Sequence, residues 1–426
     1  MGRIISVSWQ TRIRFLVLTF LGLAIALMVN FPFWAIAQTP NSYTASNVVS
    51  PTIEQSPQPP DALIRPANGN ELRGVWLTNV DSDVLFSADR IEKAVKRLKR
   101  LNFNTLYPTI WNRGYTLYPS KVAEASFGVN VYPIPEMQNR DMLAEAIAIG
   151  HEHNFAVIPW FEYGLMTEEG SEVMRQHPEW VTTRQDGSYL FLHGENDQHR
   201  LAWFNPAHPE VQKLLVDLIV EVVKKYDIDG IQLDDHFGMP PELGYDNYTL
   251  ALYRKSHGGR LPPADIRDPE WMRWRARSLT NLMVKIAKAV RAVKPNCLIS
   301  LSPNPKDFSY IKYLQDWYLW FSLGLIDELV VQIYRDDINN FKRELERPEL
   351  QIIRQKIPVA VGILAGLRIQ NIDMRQIKGQ VKITRESDLD GFSFFFYESL
   401  GNRDASFATL FLTPAIRPDA RNIAAS

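Results

Sequence analysis

Eight short apolar segments alternate along the chain with stretches whose apolar residues recur every three to four positions. The apolar segments are typical of buried strands, and the stretches between them are typical of amphipathic helices. The strand candidates are LRGVWLT (72–78), FNTLYPTI (103–110), FAVIPWFEYG (155–164), DGIQLDDHF (229–237), CLISLSPN (297–304), IDELVVQIY (326–334), IPVAVGILA (357–365) and LDGFSFFFYESL (389–400).

The stretch 89–101 illustrates the helical pattern, because it opens on an acidic cap and places Ile91, Val95, Leu98 and Leu101 on one stripe. The same pattern covers 140–153, 209–226, 271–293 and 374–385. Eight strand-helix units in unbroken alternation predict a single closed (β/α)8 barrel of the TIM type, in the α/β class. In such barrels the chemistry lies at the carboxyl ends of the strands, among the long loops of that face.

The fourth strand carries the densest group of titratable residues. Alternation places Gln232 and Asp234 on its inward face, and Asp235 and His236 follow where the strand ends. Buried carboxylates are costly unless they are solvated, paired or used in chemistry. Taken alone, the two aspartates could simply satisfy loop amides or pair with an arginine.

Polar and aromatic side chains also follow the other predicted strands. Together they form a mouth of tryptophan, tyrosine and carboxylate groups, which suits a polyhydroxylated ligand. The residues expected there are Trp111, Asn112, Arg113, Glu162, Tyr163, Ser302, Asn304, Gln332, Tyr334, Arg335, Asp336, Tyr397 and Glu398.

The N-terminal residues predict export. Arginines precede an apolar run, and Ala35-Ile36-Ala37 has the small-x-small pattern of a cleavage site, so residues 1–37 are a signal peptide or, alternatively, an uncleaved membrane anchor. Residues 38–70 are rich in Pro, Ser and Thr and form a predicted flexible linker. The barrel is expected over 71–415, with a tail over 416–426.

Composition excludes several classes of function. The net charge is -1 and no basic run is present, so a nucleic-acid partner is not expected. Cys297 is the only cysteine, which leaves no internal disulfide and no thiol zinc site. His177, His193, His199 and His208 fit no metal-binding spacing. We therefore predict neither a metal nor another cofactor.

Several motifs resemble the glycosyl-hydrolase-like family 10, a group of exported bacterial barrels. The matching segments are LRGVWLT (72–78), LYPS (117–120), HPEW (177–180), WFNPAHPEV (203–211), YDIDGIQLDDHF (226–237) and ELVVQIY (328–334). The PWFEYG form of the third strand is similar to the cyanobacterial branch. This resemblance implies a carbohydrate hydrolase, with bacterial cell-wall glycan as a plausible substrate.

The fourth strand is also similar to the DxxDxDxE strand of family 18 chitinases. Asp229 and Asp234 match that pattern, but Gln232 replaces an aspartate and His236 replaces the acid glutamate. The chitinase proton donor is therefore missing. In an alignment with the amylase-type strand, Asp234 falls on the nucleophile position.

Glycoside hydrolysis needs two carboxyl groups. We predict Asp234 as the nucleophile or base and Glu162 as the acid, because aromatic surroundings would raise the pKa of Glu162. Asp235 and Glu398 are the reserves. The alternative for Glu162 is an ion pair with Arg113 or a hydrogen bond to the ligand.

The predicted substrate-binding residues are expected to stack on sugar rings or to orient hydroxyl groups. They are Trp111, Asn112, Arg113, Tyr163, Trp203, Asn205, Gln232, His236, Asn304, Gln332, Tyr334 and Glu398. The partner is then a polysaccharide or oligosaccharide. A barrel that binds cell-wall polysaccharide without cleaving it is the alternative function. Attack on an amide or ester lacks its usual motifs, since no GxSxG sequence is present.

Overall fold

One parallel sheet contains all eight predicted strands. The structure, a computed structural model, describes residues 69–193, 199–367 and 370–419, so the predicted signal segment and most of the predicted linker lie outside it. The strands are β1 (Leu72–Leu77), β2 (Thr105–Pro108), β3 in two pieces (Ala156–Val157 and Trp160–Phe161), β4 (Gly230–Asp234), β5 (Leu298–Ser302), β6 (Glu328–Gln332), β7 (Val359–Leu364) and β8 (Gly391–Phe395).

The two pieces of β3 close the ring. The first pairs with β2, the second pairs with β4, and every other strand pairs with its neighbours in sequence, including β8 with β1. Pro159 explains the interruption, because proline has no N–H to donate to a ladder. Its carbonyl still accepts the amide of Gln232 at 2.8 Å. The predicted (β/α)8 barrel is confirmed.

Each of the five predicted helices is present with its ends shifted by two residues or fewer. The first begins one residue early, because Ser87 rather than an acidic residue caps it through the amide of Arg90. The helices are α1 (Ala88–Arg100), α2 (Lys121–Phe127), α3 (Met142–Glu152), α4 (Glu172–Gln176), α5 (Pro209–Lys225), α6 (Asn247–Ser256), α7 (Pro269–Val293), α8 (Lys306–Tyr313), α9 (Trp317–Ser322), α10 (Ile338–Leu345), α11 (Pro348–Ile353), α12 (Met374–Glu386) and α13 (Asp404–Ala408). Within the described ranges, none has the length and apolar character needed to cross a bilayer.

The insertion between β3 and β4 carries its own secondary structure. Met166–Glu168, Phe191–His193 and His199–Trp203 form a small antiparallel sheet with His199–Trp203 in the centre. Main-chain pairing of Met166 with Trp203 holds this sheet directly after the end of β3. The insertion therefore forms a wall beside the carboxyl ends of β3 and β4.

Charged residues close the amino-terminal side of the barrel. The buried carboxylate of Glu71 accepts Arg73 Nε at 2.7 Å and Arg385 Nε at 2.6 Å. Ile416 pairs with Asn70, and the guanidinium of Arg417 forms an ion pair with Glu328 at the start of β6. Contacts of the barrel thus extend at least two residues beyond the boundary predicted at residue 415.

Removal of the Glu71 carboxylate should destabilise the fold strongly. Glu71→Ala leaves Arg73 and Arg385 buried without their counter-charge, which should lower the free energy of unfolding by about 3–5 kcal/mol. Urea denaturation measures this loss. Glu92→Ala is the matched control, because its pair with Lys96 is exposed and should contribute less than about 1 kcal/mol. Equal losses in the two variants would contradict a structural role for the buried cluster.

Candidate active site

Asp234 lies at the carboxyl end of β4 and points into the barrel. Ile231 and Leu233 pack in the outer core, whereas the Asp234 carboxylate accepts Trp160 Nε1 at 3.0 Å inside the ring. The backbone N–H of His236 donates to its other oxygen at 3.0 Å. Only 1% of Asp234 is exposed. The inward orientation predicted from strand alternation is correct.

Glu162 follows the second piece of β3 and is 2% exposed. Hydroxyl and amide groups from the ends of β1 and β2 surround its carboxylate: Asn112 Nδ2 donates at 2.7 Å, Thr109 Oγ1 at 2.9 Å and Thr78 Oγ1 at 3.1 Å. These hydrogen bonds fix Glu162 from the side opposite β4.

The strand register makes Glu162 and Asp234 neighbours. Gln232 pairs with Trp160 and Leu233 pairs with Phe161, so the next residues along both strands bring Asp234 beside Glu162. Adjacent strands lie about 4.8 Å apart, which keeps two inward side chains at this level within reach of one bound group. The second carboxyl group expected near Asp234 is present.

Asp235 is held from β5 and β6. Asn304 Nδ2 donates to one of its oxygens at 2.8 Å, and Gln332 Nε2 donates to the other at 3.1 Å. Asn304 follows β5 and Gln332 ends β6, and the sequence predicts both side chains at the mouth of the barrel. Asp235 is therefore oriented by neutral donors on one side while His236 lies on the other.

His236 joins the three carboxyl residues. Its Nδ1 hydrogen-bonds the backbone carbonyl of Glu162 at 2.9 Å and lies 3.7 Å from Asp234 Oδ2 and 4.0 Å from Asp235 Oδ1. Burial alone would lower the pKa of His236, but the charges of Asp235 and Asp234 raise it to about 10. His236 is therefore an imidazolium at neutral pH, placed between two carboxylates.

Burial raises the pKa of both inward carboxyl groups. Asp234 reaches a pKa of about 7, because desolvation and the nearby charges of Asp235 and Glu162 outweigh the lowering effect of His236. The pKa of Glu162 is also raised by burial, against the lowering effect of its hydrogen bonds from Asn112 and Thr109. The pKa of Glu162 is thus raised in the expected direction, but the cause is desolvation and the groups that contact the carboxylate are polar rather than aromatic.

Asp234, Asp235 and His236 are also the described residues whose spacing could hold a metal ion, with ligand atoms within 4.8 Å of one another. Hydrogen bonds already occupy both oxygens of Asp235 and the Nδ1 atom of His236. This donor set favours a hydrogen-bonded charge cluster over a metal centre.

The structure gathers several predicted binding residues around this cluster. Asn112 contacts Glu162, while Asn304 and Gln332 contact Asp235. The Tyr163 ring centroid lies 5.9 Å from that of His236. Tyr334 packs on Phe395 in the inner core, and burial raises the pKa of its hydroxyl.

Other predicted binding residues lie in internal contacts away from the cluster. Gln232 is one layer deeper, bonded to Trp76 and Ser300, and the Trp111 indole donates to the Gly164 carbonyl. Asn205 donates to Asp246, the cap of α6.

The remaining predicted binding residues contact other groups. They are Trp203, Arg113 and Glu398. Trp203 packs edge-on against Phe191 in the small antiparallel sheet. Burial would lower the pKa of Arg113, but Tyr163 is among the groups that raise it. The Glu398 carboxylate accepts Ser82 Oγ in the loop after β1, and burial raises its pKa to about 7. The contacts of Glu398 thus connect it to the β1 loop, so Asp235 is the better-placed reserve acid.

Four residues of the site were not predicted. Thr78, Thr109 and Trp160 each lie on an inward position at or near a strand end, so the alternation that selected Glu162 and Asp234 also marks them. Gln315 has no such signal. It follows α8, and its Nε2 donates to the backbone carbonyls of Asp234 at 2.7 Å and Phe237 at 3.3 Å.

A closed parallel barrel with paired carboxyl groups at its strand ends is the architecture of many glycoside hydrolases. Residues 71–383 match the family model described as glycosyl hydrolase-like 10, and the chain belongs to that family.

Curated relatives include glycosyl hydrolase DigH of Escherichia coli K12, which is 24% identical over 336 residues, covering 65% of this chain and 71% of DigH. Glycosyl hydrolase YngK of Bacillus subtilis is 25% identical over 301 residues, covering 62% of this chain and 54% of YngK. The PgaB (BpsB) glycoside hydrolase domain from Bordetella bronchiseptica superposes with a TM-score of 0.60 at 13% identity, covering 80% of this chain and 99% of that domain. That superposition supports the fold.

The titration of His236 tests the charge arrangement. Asp235→Asn removes one of the two carboxylates that stabilise the imidazolium, so the pKa of His236 should fall clearly below about 10. Ring chemical shifts in NMR spectra, followed from about pH 6 to well above pH 10, measure it. Because the pKa of His236 in the folded protein exceeds its ordinary value of about 6.5, protonation of His236 stabilises the fold fully below about pH 6.5, and this stabilisation is lost as pH rises through about 10.

Asp388→Asn is the control, since it removes one exposed carboxylate elsewhere. It should leave the His236 titration unchanged. If Asp235→Asn gives the same curve as the control, Asp235 does not set the charge of His236.

Proposed function

We propose that this protein is an exported glycoside hydrolase that cleaves a polysaccharide with the carboxyl groups of Asp234 and Glu162. The observation that carries the proposal is the pair itself: two buried, inward carboxyl groups at the ends of adjacent barrel strands. Membership of the glycosyl hydrolase-like 10 family supports the same reaction class.

Asp234 acts in its ionised form, either attacking the anomeric carbon or activating a water molecule. Trp160 and the His236 amide donate hydrogen bonds to its two oxygens, and the His236 imidazolium adds a positive charge nearby. All three interactions stabilise negative charge. They also orient the carboxylate for a substrate that enters from the mouth of the barrel.

Glu162 donates the proton to the leaving oxygen. Burial keeps its carboxyl group protonated to a higher pH than an exposed glutamate, as a general acid requires. Thr78, Thr109 and Asn112 hold it in one orientation from the ends of β1 and β2. Asp235 helps to orient the His236 imidazolium, since its Oδ1 lies 4.0 Å from His236 Nδ1.

The proposed substrate is bacterial cell-wall glycan. The motifs shared with exported bacterial barrels support it, and so does the N-terminal pattern of basic residues, apolar run and Ala35-Ile36-Ala37. Within the barrel, the Trp160 ring packs edge-on against Phe395, which also packs on Tyr334. Aromatic rings of this kind pack against the apolar faces of sugars.

Replacement of Asp234 should abolish cleavage while the protein stays folded. Asp234→Asn keeps the shape and the hydrogen-bond acceptor but removes the charge, so the release of new reducing ends from purified peptidoglycan should fall by about 10³-fold or more. A reducing-end assay measures turnover and circular dichroism checks folding.

Asp229→Asn is the matched control. Asp229 immediately precedes the amino-terminal end of β4, and its carboxylate hydrogen-bonds His151 and the amide of Val157. It should retain activity. Full activity in Asp234→Asn would eliminate the assignment.

The alternative function is binding of the polysaccharide without cleavage. It is favoured by His236, which stands where family 18 chitinases have their catalytic glutamate. Retention of peptidoglycan in a sedimentation assay with no reducing ends from the unsubstituted protein would establish it.

The pH profile provides a second test. Because Asp234 must be ionised, kcat/KM should rise as pH increases through about 7. Trp160→Phe removes an N–H that donates to the carboxylate, so the pKa of Asp234 should increase and the rising limb should move to higher pH. A profile of initial rates between pH 4 and 9 measures the shift.

Trp180→Phe serves as the control, because Trp180 stacks on His177 in the insertion. Its profile should coincide with that of the unsubstituted protein. If the rising limb lies at the same pH in Trp160→Phe as in the unsubstituted protein, a group other than Asp234 controls it.

A further inference from the structure

A cavity lies beside α8. It has a volume of about 310 Å³ and is lined by Lys306, Asp307, Tyr310, Ile311, Gln315 and Asp316. These residues belong to α8 and the turn that leads into α9. The volume lies at the lower end of the range for small-molecule sites, about 300–1,000 Å³.

Gln315 connects this cavity with the candidate active site. Its side chain is fully buried, and its Nε2 donates to the carbonyls of Asp234 and Phe237. Its Oε1 has no hydrogen-bond partner among the residues that the structure describes. Because Gln315 is fully buried, it forms a wall between the cavity and the Asp234 turn and is not a surface that a ligand reaches.

The lining suits a sugar ring. The half-buried ring of Tyr310 and the exposed side chain of Ile311 offer apolar surface, while Lys306, Asp307 and Asp316 offer polar groups around it. Sugars have the same combination of an apolar face and a hydroxyl edge.

We propose that this cavity is an accessory subsite that binds one sugar unit of the polysaccharide while another unit lies at Asp234 and Glu162. The proposal rests on the proposed action on polysaccharide and adds a second point of contact. Gln315 forms the shared wall, because it faces the cavity and holds the backbone of the Asp234 turn. Long substrates therefore bind more tightly than short ones.

Binding in the absence of cleavage tests the subsite. In the Asp234→Asn background, isothermal titration measures the affinity for a β-1,4-linked hexamer of N-acetylglucosamine. Tyr310→Ala should weaken that affinity about fivefold to tenfold, as expected for loss of one aromatic contact. Ile311→Asp, at a position that is 44% exposed, should also weaken it without affecting folding. Tyr248→Ala, on α6, is the matched control and should bind normally.

Unchanged affinity in both Tyr310→Ala and Ile311→Asp would overturn the subsite, as would failure of the hexamer to bind the Asp234→Asn protein. These results differ from failure of the proposed function. If the unsubstituted protein releases no reducing ends but the hexamer affinity still depends on Tyr310, the accessory subsite stands and the hydrolase assignment falls. If peptidoglycan is cleaved and Tyr310 has no effect on the affinity, only the subsite falls.

Discussion

The charge balance of three buried carboxyl groups governs this end of the barrel. Glu162, Asp234 and Asp235 are each no more than 2% exposed, and burial of an unpaired carboxylate costs several kcal/mol. One cation, His236, lies among them. The remaining compensation comes from neutral donors on the surrounding strands, so the site can form only when the ring is closed.

Closure depends on the irregular third strand. Pro159 divides β3, yet both pieces remain in the sheet because each pairs with a different neighbour. The first piece completes the ladder to β2, and the second carries Trp160 and Glu162 to the level of β4. Trp160 then donates to Asp234, while Glu162 receives donors from the β1 and β2 side. One interrupted strand thus links the two halves of the site.

Much of the fold and part of the site follow from local pattern. Alternation along a strand determines which side chains face inward, and the barrel rule determines which end of the strands carries the site. The sequence therefore predicts that Asp234, Glu162, Asn304 and Gln332 lie at this end of the barrel, where the structure places them. Alternation does not determine the depth of a side chain. For that reason Gln232 was expected at the mouth but hydrogen-bonds to Trp76 inside the barrel.

Such local patterns do not predict contacts between residues that are far apart in sequence. Gln315 reaches the Asp234 carbonyl across 81 residues, and Thr78 reaches Glu162 across 84. Both contacts depend on how loops fold over the strand ends, and no periodicity records that. The pairing of Glu71 with Arg385 spans 314 residues and is hidden for the same reason.

Histidine at position 236 explains why the proposed acid lies on a different strand from Asp234. A glutamate there, as in the chitinase pattern, would place a fourth carboxyl group close to Asp234 and raise the pKa of Asp234 further. The imidazolium has the opposite effect on Asp234, since it lowers the pKa that burial raises. With a cation at that position, β4 supplies a stabilised carboxylate but no second carboxylic acid to protonate the leaving oxygen. A buried acid must then come from a neighbouring strand, and Glu162 on β3 is the inward carboxyl group that the register brings alongside.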